Sequence, residues 1–168
     1  MAMGELLYEG KAKKIFSTGN PDQVVQYFKD DATAFNAQKR GTIVEKGVIN
    51  NKVSERLFQL LEQHGIRTHF VERSNDREML TKKVRIVPIE VVVRNVVAGS
   101  LAKRLGLKEG NRIDPAVVEF YYKNDGLGDP LVNDDHLRLM NVATPGVLRE
   151  LRELGHAVNK VLKPFFVE

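Results

Sequence analysis

Apolar residues in the first third of the chain come in short runs separated by polar turns. Leu6 to Tyr8, Lys14 to Ser17 and Val24 to Phe28 are rich in aromatic or β-branched residues, which predicts three strands. Gly19-Asn20-Pro21-Asp22 is a strong turn signal, and Glu9-Gly10-Lys11-Ala12 joins the first two runs, so the start reads as a meander. The period then changes. Ile49, Val53, Leu57, Leu60 and Leu61 share one face at helical spacing, with Glu55, Arg56, Gln59, Glu62 and Gln63 on the other. Gly65 stands where a left-handed glycine ends such a helix, and His64 beside it is placed to interact with the helix C-terminus. Strand patterns return at Thr68 to Arg73, Glu78 to Val84 and Ile89 to Arg94, and Pro88 marks a connector between lobes.

Helical signals dominate the remainder of the chain. Ser100 reads as the N-cap of a short helix that Gly106 closes. Asp114-Pro115 reads as a second cap with proline at the first helical position, although Val117 to Tyr122 is also strand-like. A last helix begins at Thr144-Pro145. It carries the stripe Leu148, Leu151, Val158, Val161 and Leu162, and Pro164 is expected to end it. Strands first and helices later predict an α+β fold.

Composition narrows the classes. At 168 residues the chain suits one domain or two small lobes and is too short for a TIM barrel. Apolar residues make up 42% and charged residues 29%, which argues against low-complexity disorder. The absence of cysteine excludes disulfides, thiolate zinc sites and cysteine nucleophiles. No apolar run exceeds three residues and the N-terminus has no apolar h-region, so a soluble, cytoplasmic protein without membrane partners is expected. The net charge of +4 permits nucleic acid without arguing for it. Its distribution is more informative. Lys82, Lys83, Arg85, Arg94, Lys103 and Arg104 form a basic stretch, and Asp125, Asp129, Asp134 and Asp135 form an acidic one. An anionic ligand with a metal would suit that pairing, and so would two solvated faces.

Four stretches carry candidate chemistry. In Tyr8-Glu9-Gly10-Lys11-Ala12-Lys13, a glycine permits close approach of a ligand, and Lys11 and Lys13 share a face if they lie on a strand. Two ammonium groups over a tight turn complement a polyphosphate, and the same residues also make an ordinary basic hairpin. Lys82 and Lys83 close a strand, so alternation turns one inward and one outward. In Pro88-Ile89-Glu90-Val91-Val92-Val93-Arg94, Glu90 and Arg94 share a strand face, and their burial among valines requires pairing. Gly99-Ser100 then opens a helix, where backbone N–H groups, a hydroxyl and the Arg94 fork could hold one anion. A Glu–Arg structural pair and a plain cap account for the same pattern. Finally, Lys123-Asn124-Asp125-Gly126-Leu127-Gly128-Asp129-Pro130 could recognise hydroxyls or magnesium, or be an acidic surface loop; it does not fit an EF-hand. His69, His136 and His156 show no paired ligand spacing.

Taken together and in order, these stretches resemble the SAICAR synthetase family, the purine-pathway ligases. The block Pro88 to Arg94 followed by Ala98-Gly99-Ser100 is similar to the family's first signature. Tyr8 to Lys13, Gly47-Val48-Ile49-Asn50-Asn51-Lys52 and Lys123 to Pro130 fit in sequence with it. The resemblance implies an antiparallel-sheet N-terminal ATP-binding lobe (residues 1–87) and the first part of an α/β substrate lobe (88–168). It implies ATP and Mg2+ as cofactors, CAIR and L-aspartate as small-molecule substrates, and a homodimer. ATP would phosphorylate the CAIR carboxylate, and aspartate would displace the phosphate.

Carried over by position, Lys13 and Arg94 are the catalytic candidates. Gly10, Lys11, Ala12, Lys13, Lys82, Arg85, Ile86 and Val87 would meet ATP. Arg94, Ser100, Lys123 and Asp129 would meet CAIR. No metal ligand is assigned within the chain. The family's second signature, Asp-x-Lys-x-Glu-Phe-Gly, has no match before Glu168. The resemblance therefore implies a chain incomplete at its C-terminal end, with reduced or absent turnover alone and an apolar surface near Phe165 and Phe166. Another ATP-dependent enzyme would not require CAIR. An RNA-binding module would show steep salt dependence, and the lack of tryptophan and of an aromatic RNA motif speaks against it.

Overall fold

Short turns return each early strand antiparallel to its predecessor, and the meander forms as the pattern predicts. The computed structural model describes residues 3–34 and 39–167. The chain divides into two compact units, Met1–Arg85 and Ile86–Glu168. The first holds β1 (Leu6–Glu9), β2 (Lys13–Ser17), β3 (Gln23–Phe28), β4 (Asp31–Ala34), β5 (Lys39–Thr42), α1 (Lys46–Gln63), β6 (Phe70–Arg73) and β7 (Glu78–Lys82). The second holds β8 (Ile89–Val96), α2 (Gly99–Leu105), β9 (Arg112–Tyr122), β10 (Leu131–Val132), α3 (Asp134–Leu139) and α4 (Pro145–Val167).

In the first unit, five strands form an antiparallel sheet in the order β1-β2-β3-β7-β6. Phe28, Phe70 and Met79 make its core, and Phe58 of α1 packs against them. The helix does not bury the whole expected stripe. Ile49 and Val53 are exposed, while Gly47, Asn51 and Leu61 are buried. Polar anchoring explains the rotation. A Cβ on Gly47 would lie 2.4 Å from the Phe28 carbonyl oxygen, so only glycine allows this approach. The Asn51 amide donates to the carbonyls of Asn75 and Glu78 at 2.9 and 3.3 Å. Gly65 is left-handed at φ 78°, and His64 Nδ1 lies 2.9 Å from the Leu60 carbonyl, as expected for this helix end. The polar strands β4 and β5 pair with each other and carry no apolar alternation that would reveal them.

One ion pair ties this unit together. Arg77 donates both guanidinium nitrogens to Asp30, at 2.7 and 2.8 Å, and the Gly47 N–H adds a third bond at 2.8 Å. The Arg77 bonds come first among the causes that pull the Asp30 carboxyl from 3.8 down to about 2. A carboxylate with a depressed folded pKa stabilises fully above 3.8, and that contribution is lost as pH falls toward 2. Asp30→Asn is therefore expected to lower the melting temperature at neutral pH and to flatten its acid dependence across this window. Parallel acid slopes in melts of the two proteins would refute the assignment.

In the second unit, β10, β9 and β8 form an antiparallel sheet in that order. Phe120, Leu137 and Leu148 make the core, with Ile89, Val91 and Leu151 packed around them. The Asp114-Pro115 pair lies inside β9 and opens no helix. It falls in the stretch where the β8–β9 register shifts, and a residue without an N–H is tolerated there. Pro164 does not stop α4, which continues to Val167. Phe165 and Phe166 are exposed and touch edge to face at 5.2 Å. The short helix α3 escapes the apolar pattern but has a local signal: Asn133 and His136 form a capping box. No helix among the described residues is long and apolar enough to cross a membrane.

Candidate functional site

Each unit gathers polar groups around residues that the sequence singled out. In the first, Gly10 lies between β1 and β2, and its N–H donates to the Lys13 carbonyl at 2.9 Å. A Cβ there would come within 3.1 Å of the Tyr8 ring. Lys11 and Lys13 do not share a strand face, because β2 begins only at Lys13 and Lys11 remains exposed in the turn. The Ala12 carbonyl accepts the Lys29 N–H at 2.9 Å. Lys29 reaches Glu9 at 2.7 Å and Asp31 at 2.6 Å, and Lys14 reaches Glu9 at 3.5 Å.

Lys13 differs from these neighbours. Its ammonium donates to Gln26 Oε1 at 3.2 Å and stands 4.7 Å from the Phe28 ring centre. No carboxylate among the described residues is paired with it, and burial lowers its pKa. A desolvated cation without a counter-charge is costly to a fold and suited to an incoming anion. Gln26 also reaches Thr81 Oγ1 at 3.2 Å and His69 Nε2 at 3.0 Å. The His69 ring stacks edge to face on Phe58 at 5.0 Å, and burial first, then the charges of Lys13 and Lys82, lower its pKa. Pattern reading passed over Gln26 and Thr81 and gave His69 no role. One signal was available: Gln26 is a polar residue in an apolar strand, and it is buried.

Lys82 ends β7 and Lys83 comes directly after it, and both are exposed, so the expected inward lysine is absent. Alternation does not act on Lys83 because the strand has already ended. Lys82 Nζ reaches the Thr68 carbonyl at 3.4 Å. Arg85, Ile86 and Val87 lie in the irregular stretch before β8, with Arg85 and Ile86 exposed and Val87 half-buried.

The second constellation lies on one face of the β8–β9 ladder. Val92 pairs with Glu119 and Glu90 with Tyr121, so Arg94 stands diagonally across from Glu119. Arg94 donates to Glu119 at 2.9 Å, to Ser100 Oγ at 3.0 Å and to the Tyr121 hydroxyl at 3.2 Å. Arg104 of α2 binds the other Glu119 oxygen and donates to Tyr121 at 3.2 Å. Tyr121 in turn donates to Glu119 at 3.0 Å. One buried carboxylate thus aligns two guanidinium groups, each still partly open to solvent. Burial works against the Arg94 charge, but the bonds to Glu119 and Tyr121 outweigh it, and its pKa lies above the ordinary arginine value.

The partner of Arg94 is therefore Glu119, not Glu90. Glu90 is exposed and lies 3.7 Å from Lys123. Ser100 is not the cap of α2 either. Ala98 holds that position, and the Gly99 N–H is taken by Glu109 at 2.9 Å, which leaves the Ser100 hydroxyl for Arg94. Sequence reading named Arg104 only within a basic stretch and missed Glu119 and Tyr121, because all three meet Arg94 only through strand pairing and helix return.

Lys123 and Asp129 come together at 2.8 Å, and Asp129 also accepts the Asn124 N–H at 2.8 Å. The bond to Asp129 is the main cause that raises the Lys123 pKa. Asn124 caps the short helical turn Asp125–Leu127. Among the described residues no three His, Asp or Glu side chains converge as a metal cage.

Known proteins share this arrangement of elements. The family model for SAICAR synthetase matches residues 6–168. The phosphoribosylaminoimidazole-succinocarboxamide synthase of Clostridium botulinum (strain Okra / Type B1) is 55% identical over 168 residues, which is 100% of this chain and 72% of the relative. The crystal structure of the synthase of that name from Ehrlichia chaffeensis superposes with a TM-score of 0.92 at 45% identity, covering 96% of this chain and 68% of the other. A SAICAR synthetase solved in complex with ADP gives a TM-score of 0.91 at 42% identity, with the same two coverages. Sequence and backbone agree along nearly the whole chain, and it belongs to the SAICAR synthetase family.

Proposed function

We propose that the chain performs its family's ATP-dependent ligation. The γ-phosphoryl group of ATP passes to the carboxylate of CAIR, releasing ADP. The amine of L-aspartate then attacks the acyl phosphate, loses a proton and expels inorganic phosphate to leave an amide, SAICAR. A ligase with these small, soluble substrates works in the cytoplasm.

The observation that carries this reading is the pair of guanidinium groups held by Glu119 beside Ser100. Such a fork binds a phosphate or carboxylate with fixed geometry and little reorganisation. Arg94 and Ser100 therefore take the anionic end of CAIR, with Lys123 and Asp129 completing that side. In the first unit, Lys11 and Lys13 take the ATP phosphates, and Gly10 and Ala12 let the backbone come close. Lys82 lies near the nucleotide, and Arg85, Ile86 and Val87 meet the adenine. Both substrates are anions, so their approach needs cations and positioning more than a covalent nucleophile. Bringing the groups together without water protects the acyl phosphate from hydrolysis.

The reaction itself is the test. The chain is mixed with CAIR, L-aspartate and MgATP, and the product is followed by mass spectrometry alongside calorimetric titrations of CAIR and ATP. Binding of both, with amide formation only when all three substrates are present, supports the reading. ADP release indifferent to CAIR, or no affinity for CAIR, rejects it.

A further inference from the structure

Lys13 finds its acceptor diagonally across the sheet of the first unit. In the β2–β3 ladder Lys13 pairs with Phe28 and Ile15 with Gln26, so Phe28 and Gln26 lie on the same face as Lys13. One strand further, Thr81 pairs with Val24 and stands diagonally from Gln26. Lys13, Gln26 and Thr81 thus form a polar line over β2, β3 and β7, and Gln26 and Thr81 are buried. The Gln26 head group has contacts at both ends. Its oxygen accepts from the Lys13 ammonium at 3.2 Å, and its nitrogen lies 3.2 Å from Thr81 Oγ1 and 3.0 Å from His69 Nε2. The His69 ring is in turn set edge to face on Phe58 of α1, which ties the line to the helix. A lysine is a point charge on a flexible four-carbon stem, so it is aimed only where something fixed receives it.

The kind of acceptor matters as much as its place. Lys14, Lys29 and Lys123 each meet a carboxylate, whereas Lys13 meets an amide. A neutral acceptor directs the ammonium without cancelling its charge. A carboxylate in the same place would pair with Lys13 and repel an incoming polyphosphate. Glutamate has the length of glutamine, and the Thr81 hydroxyl can donate to it, so packing alone does not demand the amide. We propose that Gln26, braced by Thr81 and His69, is a positioning residue that aims Lys13 at the ATP phosphates and leaves its charge intact. This rests on the phosphate role given to Lys13 above.

Calorimetric titrations with MgATP and with CAIR, alongside thermal melts, test it on the full chain. Gln26→Glu is expected to weaken ATP binding by about tenfold or more, with CAIR affinity within about twofold, because the new carboxylate pairs with Lys13. Gln26→Met keeps the volume but offers no strong acceptor, and it is expected to cost about threefold to tenfold in ATP affinity. The double variant Gln26→Met with Lys13→Met should bind ATP no more weakly than Lys13→Met alone, because nothing is left to aim. Losses that add overturn the proposal, and so does parental ATP affinity in either Gln26 variant. A merely structural glutamine would lower the melting temperature and leave the affinity of the folded chain as it was. Lys13→Met by itself separates this proposal from the reading beneath it. If that variant binds ATP as the parent does, the phosphate role of Lys13 falls and the proposal with it. If it loses affinity and the Gln26 variants do not, only the aiming falls. Should Gln26→Met fail to fold, Gln26→Glu decides alone.

Discussion

Arg94→Ala is expected to weaken CAIR binding by about 100-fold while leaving ATP affinity within about twofold. Truncating one member of a hydrogen-bonded charge contact typically costs about 2–5 kcal/mol, and each 1.4 kcal/mol is tenfold. Fold loss does not account for the effect, because Glu119 keeps Arg104 and the Tyr121 hydroxyl after the truncation. Arg94→Lys separates charge from geometry. It retains the cation but not the fork that reaches Glu119, Ser100 and Tyr121 together, so it should recover only part of the affinity. Titration calorimetry with each nucleotide checks both variants. Equal losses for CAIR and ATP would sink the role given to Arg94.

Lys13 should behave in the opposite sense and with a sign of its own. Lys13→Met is expected to weaken ATP binding by about tenfold to 100-fold, with CAIR binding nearly unchanged. The same substitution should leave the melting temperature unchanged or raise it. The lysine is a partly buried cation held by the amide oxygen of Gln26 and the Phe28 ring, without a carboxylate partner among the described residues. Replacing such a group by an apolar one of similar volume removes a desolvation cost. A structural lysine would show the reverse, with lost stability and intact affinity. Stability that rises as ATP affinity falls marks a residue retained for its ligand.

Much of the fold was legible because local signals and tertiary packing agree. The meander from Leu6 to Phe28, the stop at Gly65 and the closing glycine at Gly106 all rest on short-range chemistry. Two of the failures in the fold share a cause, which is that a tertiary contact overrode the local preference. The period at Ile49 and Val53 is helical, yet Gly47 and Asn51 decide which side of α1 meets the sheet. Asp114-Pro115 resembles a helix start, yet pairing along β8 draws it into a strand. The site divides in the same way. Arg94 and Ser100 lie six residues apart and were readable as one unit. Glu119 comes from the facing strand and Arg104 from the helix beyond, so neither is visible until register and helix placement are known.

The bonds around Gln26 permit only one direction of donation. The Lys13 ammonium has no lone pair, so it must receive the amide oxygen, and the amide nitrogen is turned toward Thr81 and His69. The His69 nitrogen at 3.0 Å therefore has to be bare, and the ring carries its single proton on Nδ1. A second proton would set two donors against each other. The amide could relieve that only by rotating, and its nitrogen would then face the lysine. The tautomer of a histidine just before β6 is thus dictated by the charge of a lysine on β2, and the imidazole pKa lowered by burial and by Lys13 keeps the ring in that form.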